Sequence, residues 1–410
     1  MRNKSTARDF GATGDGRTDD TNAIQKALDA AAARGGPVCL PPGRYALHGS
    51  LRIPAAVTLE GTWRVPHHSE MNQGTCLLAY GGRGNETAEP LIDLGPSSGV
   101  RGVTIAYPEQ KLADVTPYPY AVRQCSGDHA TVENVTLVNA WQGICTGPDA
   151  NELHLIRNVY GCVLRRGIFI DNVWDIGRVE NVHFNPHYWS RSAIFDHPDF
   201  ARDNPDMAVA SVMQEALEGF VFGKTDWQYV LNTFVYAARV GYRFVETAHG
   251  TCNGQLLGIG ADACVYGLLA DAVQFPGILV TNGEFVSFPL REVGGEGCIG
   301  VRTGPRFDTS LQLTNCSFWG GGFTHYAKIE GSGMFALSQA RVDGCLDAGF
   351  EILGGRVSLR DVMFHRSALP HVRVGAGATQ VVLTSNFAEG GFKVENAAGD
   401  RLVLRDNEEG

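Results

Sequence analysis

Asparagine returns through the middle of this chain at a nearly constant pitch, and that pitch restricts the fold more than any other feature. Asn134 in VENVTL, Asn158 in IRNVYG and Asn181 in VENVHF stand 24 and 23 residues apart, each between short stretches of alternating apolar residues. Self-similarity at such a period, carried by strand-like patterning, is the signature of a solenoid of β coils. Asn232, Asn282 and Asn315 keep the phase, and Asp361 holds it with a carboxylate. Nine residues after Asn134, Asn158 and Asn232 come Gly143, Gly167 and Gly241, each opening a further short strand. One coil therefore carries three strands and three turns, and a stack of such coils is a parallel β-helix. An elongated groove along its outside is the expected place for function.

Each coil of a solenoid touches only its neighbours, so the 410 residues are read as one domain, 1–410. Glycine, at 51 residues, exceeds the usual share of about 7% and suits a chain with frequent turns and little helix. A formal charge of −10 argues against nucleic acid or an anionic membrane as partner, and mildly against a strongly anionic polymer as substrate. No apolar run approaches the length of a membrane span. The opening MRNKSTARDFG lacks the apolar core of a signal peptide, so a cytoplasmic location is expected. The ten cysteines lack CxxC pairs; Cys145, Cys162, Cys264, Cys298, Cys316 and Cys345 lie in or beside strands and read as small buried thiols. No metal or cofactor is expected. His67, His68, His183 and His187 come without an HExxH motif or a Cys/His cluster.

Residues 9–45 are organised differently. Asp19, Asp20 and Thr21 are expected to cap a helix whose apolar stripe is Ile24, Ala27, Leu28 and Ala31, and Gly35-Gly36-Pro37 stops it. Such a helix covers the open strand edges at a solenoid end. Asp9-Phe10-Gly11-Ala12, Gly14-Asp15-Gly16, Thr18-Asp19-Asp20-Thr21, Ala23-Ile24-Gln25 and the Leu40-Pro41-Pro42-Gly43-Arg44-Tyr45 turn together resemble the opening segment of the pectate-lyase superfamily, which includes relatives of glycoside hydrolase family 28. That resemblance implies a right-handed parallel β-helix. It leaves the reaction open, since the superfamily spans hydrolases, lyases, transferases and tailspikes.

Coils are expected from about Leu51 to Leu404, interrupted by an insertion at 187–218 whose second half, Ala208 to Glu218, reads as a short helix. The insertion is expected to overhang the groove, and a smaller excursion at Pro289 to Gly297 to do the same.

Stacking turns sequence spacing into geometry, because equivalent positions in successive coils lie about 4.8 Å apart. Six residues before the ladder, Asp128, Glu152, Asp175 and Asp226 share a row. Asp128 and Glu152 read as turn-closing side chains. Asp175 and Asp226, beside Trp174 and Trp227, are candidates for acid catalysis with aromatic sugar platforms. On the strand after the ladder, alternation points His183, Asn185, Phe234, Tyr236, Asp262 and Glu284 outward, provided Gly258 takes a ladder position. Asp262 and Glu284 are then diagonal neighbours about 7 to 8 Å apart, the separation at which glycoside cleavage uses two carboxyls. A third row, Glu133, Arg157 and Glu180, reads as a structural ion-pair ladder.

The family 28 acids precede the glycine-opened strand, and here those positions hold Trp141-Gln142, Arg165-Arg166, Leu217-Glu218 and Arg239-Val240. Only Glu218 is acidic, so that mechanism does not carry over. Arg165, Arg166 and Arg239, with Asp171 and Asp271 expected outward, keep the groove open to a substrate. For calcium-dependent elimination, Arg166 and Lys224 are the candidate bases.

The expected function is a glycoside hydrolase acting on an oligosaccharide or polysaccharide. Asp262 and Glu284 are its working pair and Asp175 and Asp226 second candidates. His183, Tyr236, Trp189 and Trp227 are expected sugar contacts, with Arg166, Arg239 and Glu218 lining the groove. A polysaccharide lyase, an intramolecular glycosyl (fructo)transferase and a non-catalytic glycan-binding tailspike are the alternatives. Trimeric β-helix enzymes place sites between subunits, so analogy admits a homotrimer.

Overall fold

The computed structural model describes residues 5–63, 73–124, 127–194 and 204–407. His67, His68 and the centre of the 187–218 insertion lie outside them. The fold is an all-β right-handed parallel β-helix with a short N-terminal capping helix. The chain divides into two compact units, Met1–Leu217 and Glu218–Gly410.

In the first unit, helix α1 (Thr21–Ala32) buries Ile24, Ala27, Leu28 and Ala31, the stripe its sequence predicts. Its cap differs from expectation. Asp19 accepts from the Thr21 backbone N–H at 3.0 Å, while the fully buried Asp20 carboxylate turns away from the helix and accepts from the backbone N–H groups of Thr13 and Gly14 at 2.7 and 3.0 Å. Two N–H groups and the Thr13 hydroxyl of a tight GATGDG turn outbid one helix end, because buried donors must be paired. The coils that follow are in parallel register: Val132 opposes Ile156, which opposes Val179, and Val135 opposes Val159, which opposes Val182. Between these rows Asn134, Asn158 and Asn181 take φ of 55°, 54° and 51°. Asn tolerates this left-handed bend, and its amide earns the position by bridging rungs, Asn158 to Asn134 at 2.9 Å and Asn181 to Asn158 at 2.8 Å. Arg157 pairs with Glu133, as the third row required.

Two helices of the insertion are described, α2 (His187–Ser190) and α3 (Pro205–Ala216). α3 starts three residues earlier than the sequence pattern suggests, because the Asn204 side chain accepts from Met207 N–H and Pro205 fills the first helical position. Both helices lie against the strand Leu155–Ile170: the Met213 and Cys162 sulfurs are 3.6 Å apart, and Tyr188 meets Tyr160 and His183. Asp206 ties α3 to α2 through Ser190 and Arg191.

In the second unit a coil supplies three strands, the first two of which fuse into one in Met334–Asp343 and Arg356–His365. The first full coil is Thr225–Leu231, Phe234–Tyr236 and Val240–Phe244; the next is Cys252–Leu257, Gly260–Asp262 and Tyr266–Ala270; the third is Ile278–Thr281, Glu284–Val286 and Cys298–Thr303. Inward rows are buried, as in Val230–Leu256–Val280–Leu313 and Val235–Ala261–Phe285–Phe318. Rings stack along the axis, Phe285 on Phe318 at 4.9 Å and Phe220 on Tyr242 at 4.8 Å. Gly258 occupies the ladder position with φ 66° between Asn232 and Asn282. The outward row of the third strand is charged: Arg243, Arg302, Lys328 and Arg373 each meet carboxylates. Glu296, in the Pro289–Gly297 excursion, bridges Arg302 and Lys328.

Among the described residues no helix is long and apolar enough to cross a membrane. The nine described cysteines are free, and eight of them, including the six expected in or beside strands, are buried.

Candidate functional site

The outer wall formed by the strands after the ladder brings Asp262 and Glu284 together. Glu284 opposes Gly260 and Asp262 opposes Val286, so the acids are diagonal neighbours, and the inward Ala261 and Phe285 fix their direction. Tyr236 opposes Asp262 on the preceding coil, with the Phe288 ring 6.3 Å away, and the Phe234 ring lies over Gly260. These apolar neighbours desolvate Asp262. Its Oδ1 is buried without a hydrogen-bond partner. Burial pushes its carboxyl up to about 6, and the negative charge of Glu284 adds to the effect while the Ala263 backbone N–H opposes it. An acid that keeps its proton this far up the scale is suited to donate it. Glu284 is exposed and accepts from Trp319 Nε1 at 2.8 Å. Trp319, which opposes Val286 on the next coil and is 42% exposed, is a site residue that sequence reasoning missed. Its signal was present, since it holds an outward position two residues after Ser317, the partner of Glu284.

Asp226 and Trp227 lie on the strand before the ladder, off this wall. Asp226 accepts from the buried Lys224 and from Gln274, which leaves Lys224 engaged rather than poised as a base. Glu218 is 6% exposed and pairs with Arg243, which also binds Asp271, so the one acid found at the family 28 positions is paired in place. Arg239 is exposed on the turn leading into that strand.

The remaining candidates belong to the first unit. Asp128, Glu152 and Asp175 do share a row, with His129 N–H donating to the Glu152 carbonyl and Leu153 N–H to the Asp175 carbonyl. The Asp175 side chain is exposed and accepts from Ile176 N–H at 3.0 Å, closing its own turn. Trp189 is 2% exposed and therefore has no face open to a sugar, a correction that follows from α2 packing onto the coil. His183 bonds the Tyr188 hydroxyl at 3.2 Å beneath the same helix. Arg166 reaches the Tyr120 hydroxyl at 3.4 Å and lies 5.1 Å from the Phe169 ring centre. Asp171, expected outward, is buried. Among the described residues no group of three or more His, Cys, Asp or Glu is placed to hold a metal ion.

Residues 5–86 match the family model described as rhamnogalacturonase A/epimerase, pectate lyase-like. The resemblance read from the opening segment is thus to the pectate-lyase-like proteins. Alginate lyase 7 of Azotobacter vinelandii is 63% identical over 43 residues, 10% of this chain and only 5% of that protein's length. Among solved structures, the A-module of mannuronan C-5 epimerase AlgE6 from Azotobacter vinelandii superposes with a TM-score of 0.56 at 16% identity, covering 99% of both chains. The tailspike of E. coli bacteriophage HK620, solved with a pentasaccharide, gives 0.57 at 10% identity over 98% of this chain and 80% of that one. At such identities the structural likeness establishes the fold. The lyase and the epimerase are carbohydrate-active enzymes.

Proposed function

We propose that this protein is a carbohydrate-active enzyme that cleaves glycosidic bonds with Asp262 and Glu284. The observation that carries the reading is Asp262, half-buried, with one unpartnered oxygen and a carboxyl raised to about 6, diagonal to a second acid side chain that accepts from Trp319. Asp262 donates its proton to the glycosidic oxygen as the C–O bond breaks and the bonding pair passes to that oxygen. Glu284 either takes a proton from the attacking water or bonds the sugar carbon directly and is released by water. Tyr236 and the exposed edge of Trp319 supply apolar faces for the sugar ring.

The test is product analysis on neutral and acidic oligosaccharides with the parent protein, Glu284→Gln and Asp262→Asn. Full turnover in both variants would remove the pair from the chemistry. A second reading, lyase or epimerase action on a uronate chain, is favoured by the 63% identity to alginate lyase 7. Elimination would announce itself as an unsaturated product absorbing in the ultraviolet. Epimerisation would change the sugar without consuming water.

A further inference from the structure

The strand before the ladder carries a second built surface, on the other side of Asn232 from the acid pair. Thr225 opposes Cys252 and Gln228 opposes Gly254, so Asp226 and Trp227 face a single residue, Asn253. Such a β-bulge re-aims a side chain. Trp227 takes φ 57°, a left-handed bend that is costly for a bulky residue. Two hydrogen bonds lock it there. Its backbone N–H donates to Asn253 Oδ1 at 2.6 Å and its indole Nε1 donates to the Tyr229 hydroxyl at 2.8 Å, while Asn253 is held by donating to the Phe275 carbonyl at 2.9 Å. The residue nevertheless stays 46% exposed. Strained backbone and two locks around a solvent-facing indole make a fixed platform, whereas a packing residue would be turned inward.

The platform borders a shallow cavity of about 130 Å³ lined by Trp227, Asn253, Gly254, Gln255, Leu279 and Gln312. Its floor at Gly254 is bare backbone, since a Cβ there would fall 2.4 Å from the Gln228 carbonyl oxygen. Gln255, Leu279 and Gln312 are consecutive rungs of one outward row, about 4.8 Å apart. Gln255 makes no side-chain hydrogen bond among the described residues, and Gln312 uses only its Nε2, towards Ser310 at 3.2 Å. Spare amide donors and acceptors beside an indole and a leucine match the two sides of a sugar ring, apolar C–H face and hydroxyl rim. No charged side chain lines the cavity, and the neighbouring Asp226 is turned to Lys224 and Gln274.

We propose that Trp227, Gln255, Leu279 and Gln312 form a non-catalytic subsite for an uncharged sugar unit. It takes from the proposed function only the class of ligand, carbohydrate. The row lets successive units of an extended chain fall on successive rungs.

Isothermal titration with cellohexaose and laminarihexaose, with hexamannuronate as the anionic control, tests this. A neutral hexaose is expected to bind, and Trp227→Ala and Gln255→Ala are each expected to weaken binding by about tenfold or more. Trp227→Phe, which keeps a ring, retains most of the affinity, and melting curves of the variants verify folding. Binding is expected to persist in Asp262→Asn and Glu284→Gln. Absence of neutral-sugar binding at millimolar concentration, binding that survives Trp227→Ala, loss of binding in the acid variants, or preference for hexamannuronate would each overturn the subsite. The acid-pair reading stands or falls on turnover, so the two failures are separable.

Discussion

Asp262 pays for its chemistry in stability. A carboxyl raised to about 6 by burial binds its proton more tightly folded than unfolded, so the native state gains from protonation. That stabilisation is complete below about pH 4, where the unfolded carboxyl is also protonated, and is lost as pH rises through about 6. Asp262→Asn is therefore expected to be more stable than the parent at pH 8, by no more than about 2 kcal/mol once solvent screening of a half-buried group is allowed for. The difference should shrink towards pH 4 in urea titrations. Turnover should fall by about 100-fold or more in the same variant, and the parent's activity should decline on the alkaline side of about pH 6 as the proton is lost. A flat pH profile between 5 and 8, two values chosen about the Asp262 midpoint, would remove Asp262 as the acid. The outward direction of Asp262 and Glu284 was legible from strand alternation alone. The indole on Glu284 was readable only through the register of the next coil, since the contact spans 35 residues and the stretch around Glu284 does not mark it.

At the scale of the element, the ladder asparagines do two jobs, tolerating a left-handed bend and bridging rungs. Asn158→Ala loses hydrogen bonds to Asn134 and Asn181 and leaves a Cβ residue at φ 54°, an expected cost of about 2–4 kcal/mol. Asn158→Gly relieves the bend and forfeits only the bonds, so its cost should be about half that. Equal losses in chemical denaturation would mean the bend contributes nothing. The period and the phase of Gly258 were readable because every coil repeats them. The bulge at Trp227 and the burial of Trp189 were not. A bulge is one residue out of step, which periodicity averages away, and Trp189 is hidden because its own short helix, α2, packs onto the coil, a tertiary event that four residues of sequence do not announce. Helix α1 was legible as a stripe, whereas the direction of Asp20 was decided by competition between two sets of backbone donors.

For the whole molecule, the formal charge of −10 bears on substrate choice. Turnover of a uronate oligomer should rise between 20 and 200 mM salt, about the range over which surface charge becomes screened, while turnover of a neutral oligomer stays level. Chelator is expected to leave activity unchanged, since no metal enters the proposed chemistry. A homotrimer remains a proposal by analogy, and light scattering that returns a 44.2 kDa particle would remove it. The charged row of the second unit has a consequence of its own. Arg302 and Lys328 sit on adjacent rungs, and Glu296 between them is held below the usual carboxylate range, first by Lys328 and then by Arg302. Glu330 also pairs with Arg302 and Glu351 with Lys328, so once acid has protonated all three carboxylates the two cations are left facing each other. Acidification should therefore prise this side of the unit apart first at that one pair of rungs, where like charges adjoin, rather than loosen the row evenly.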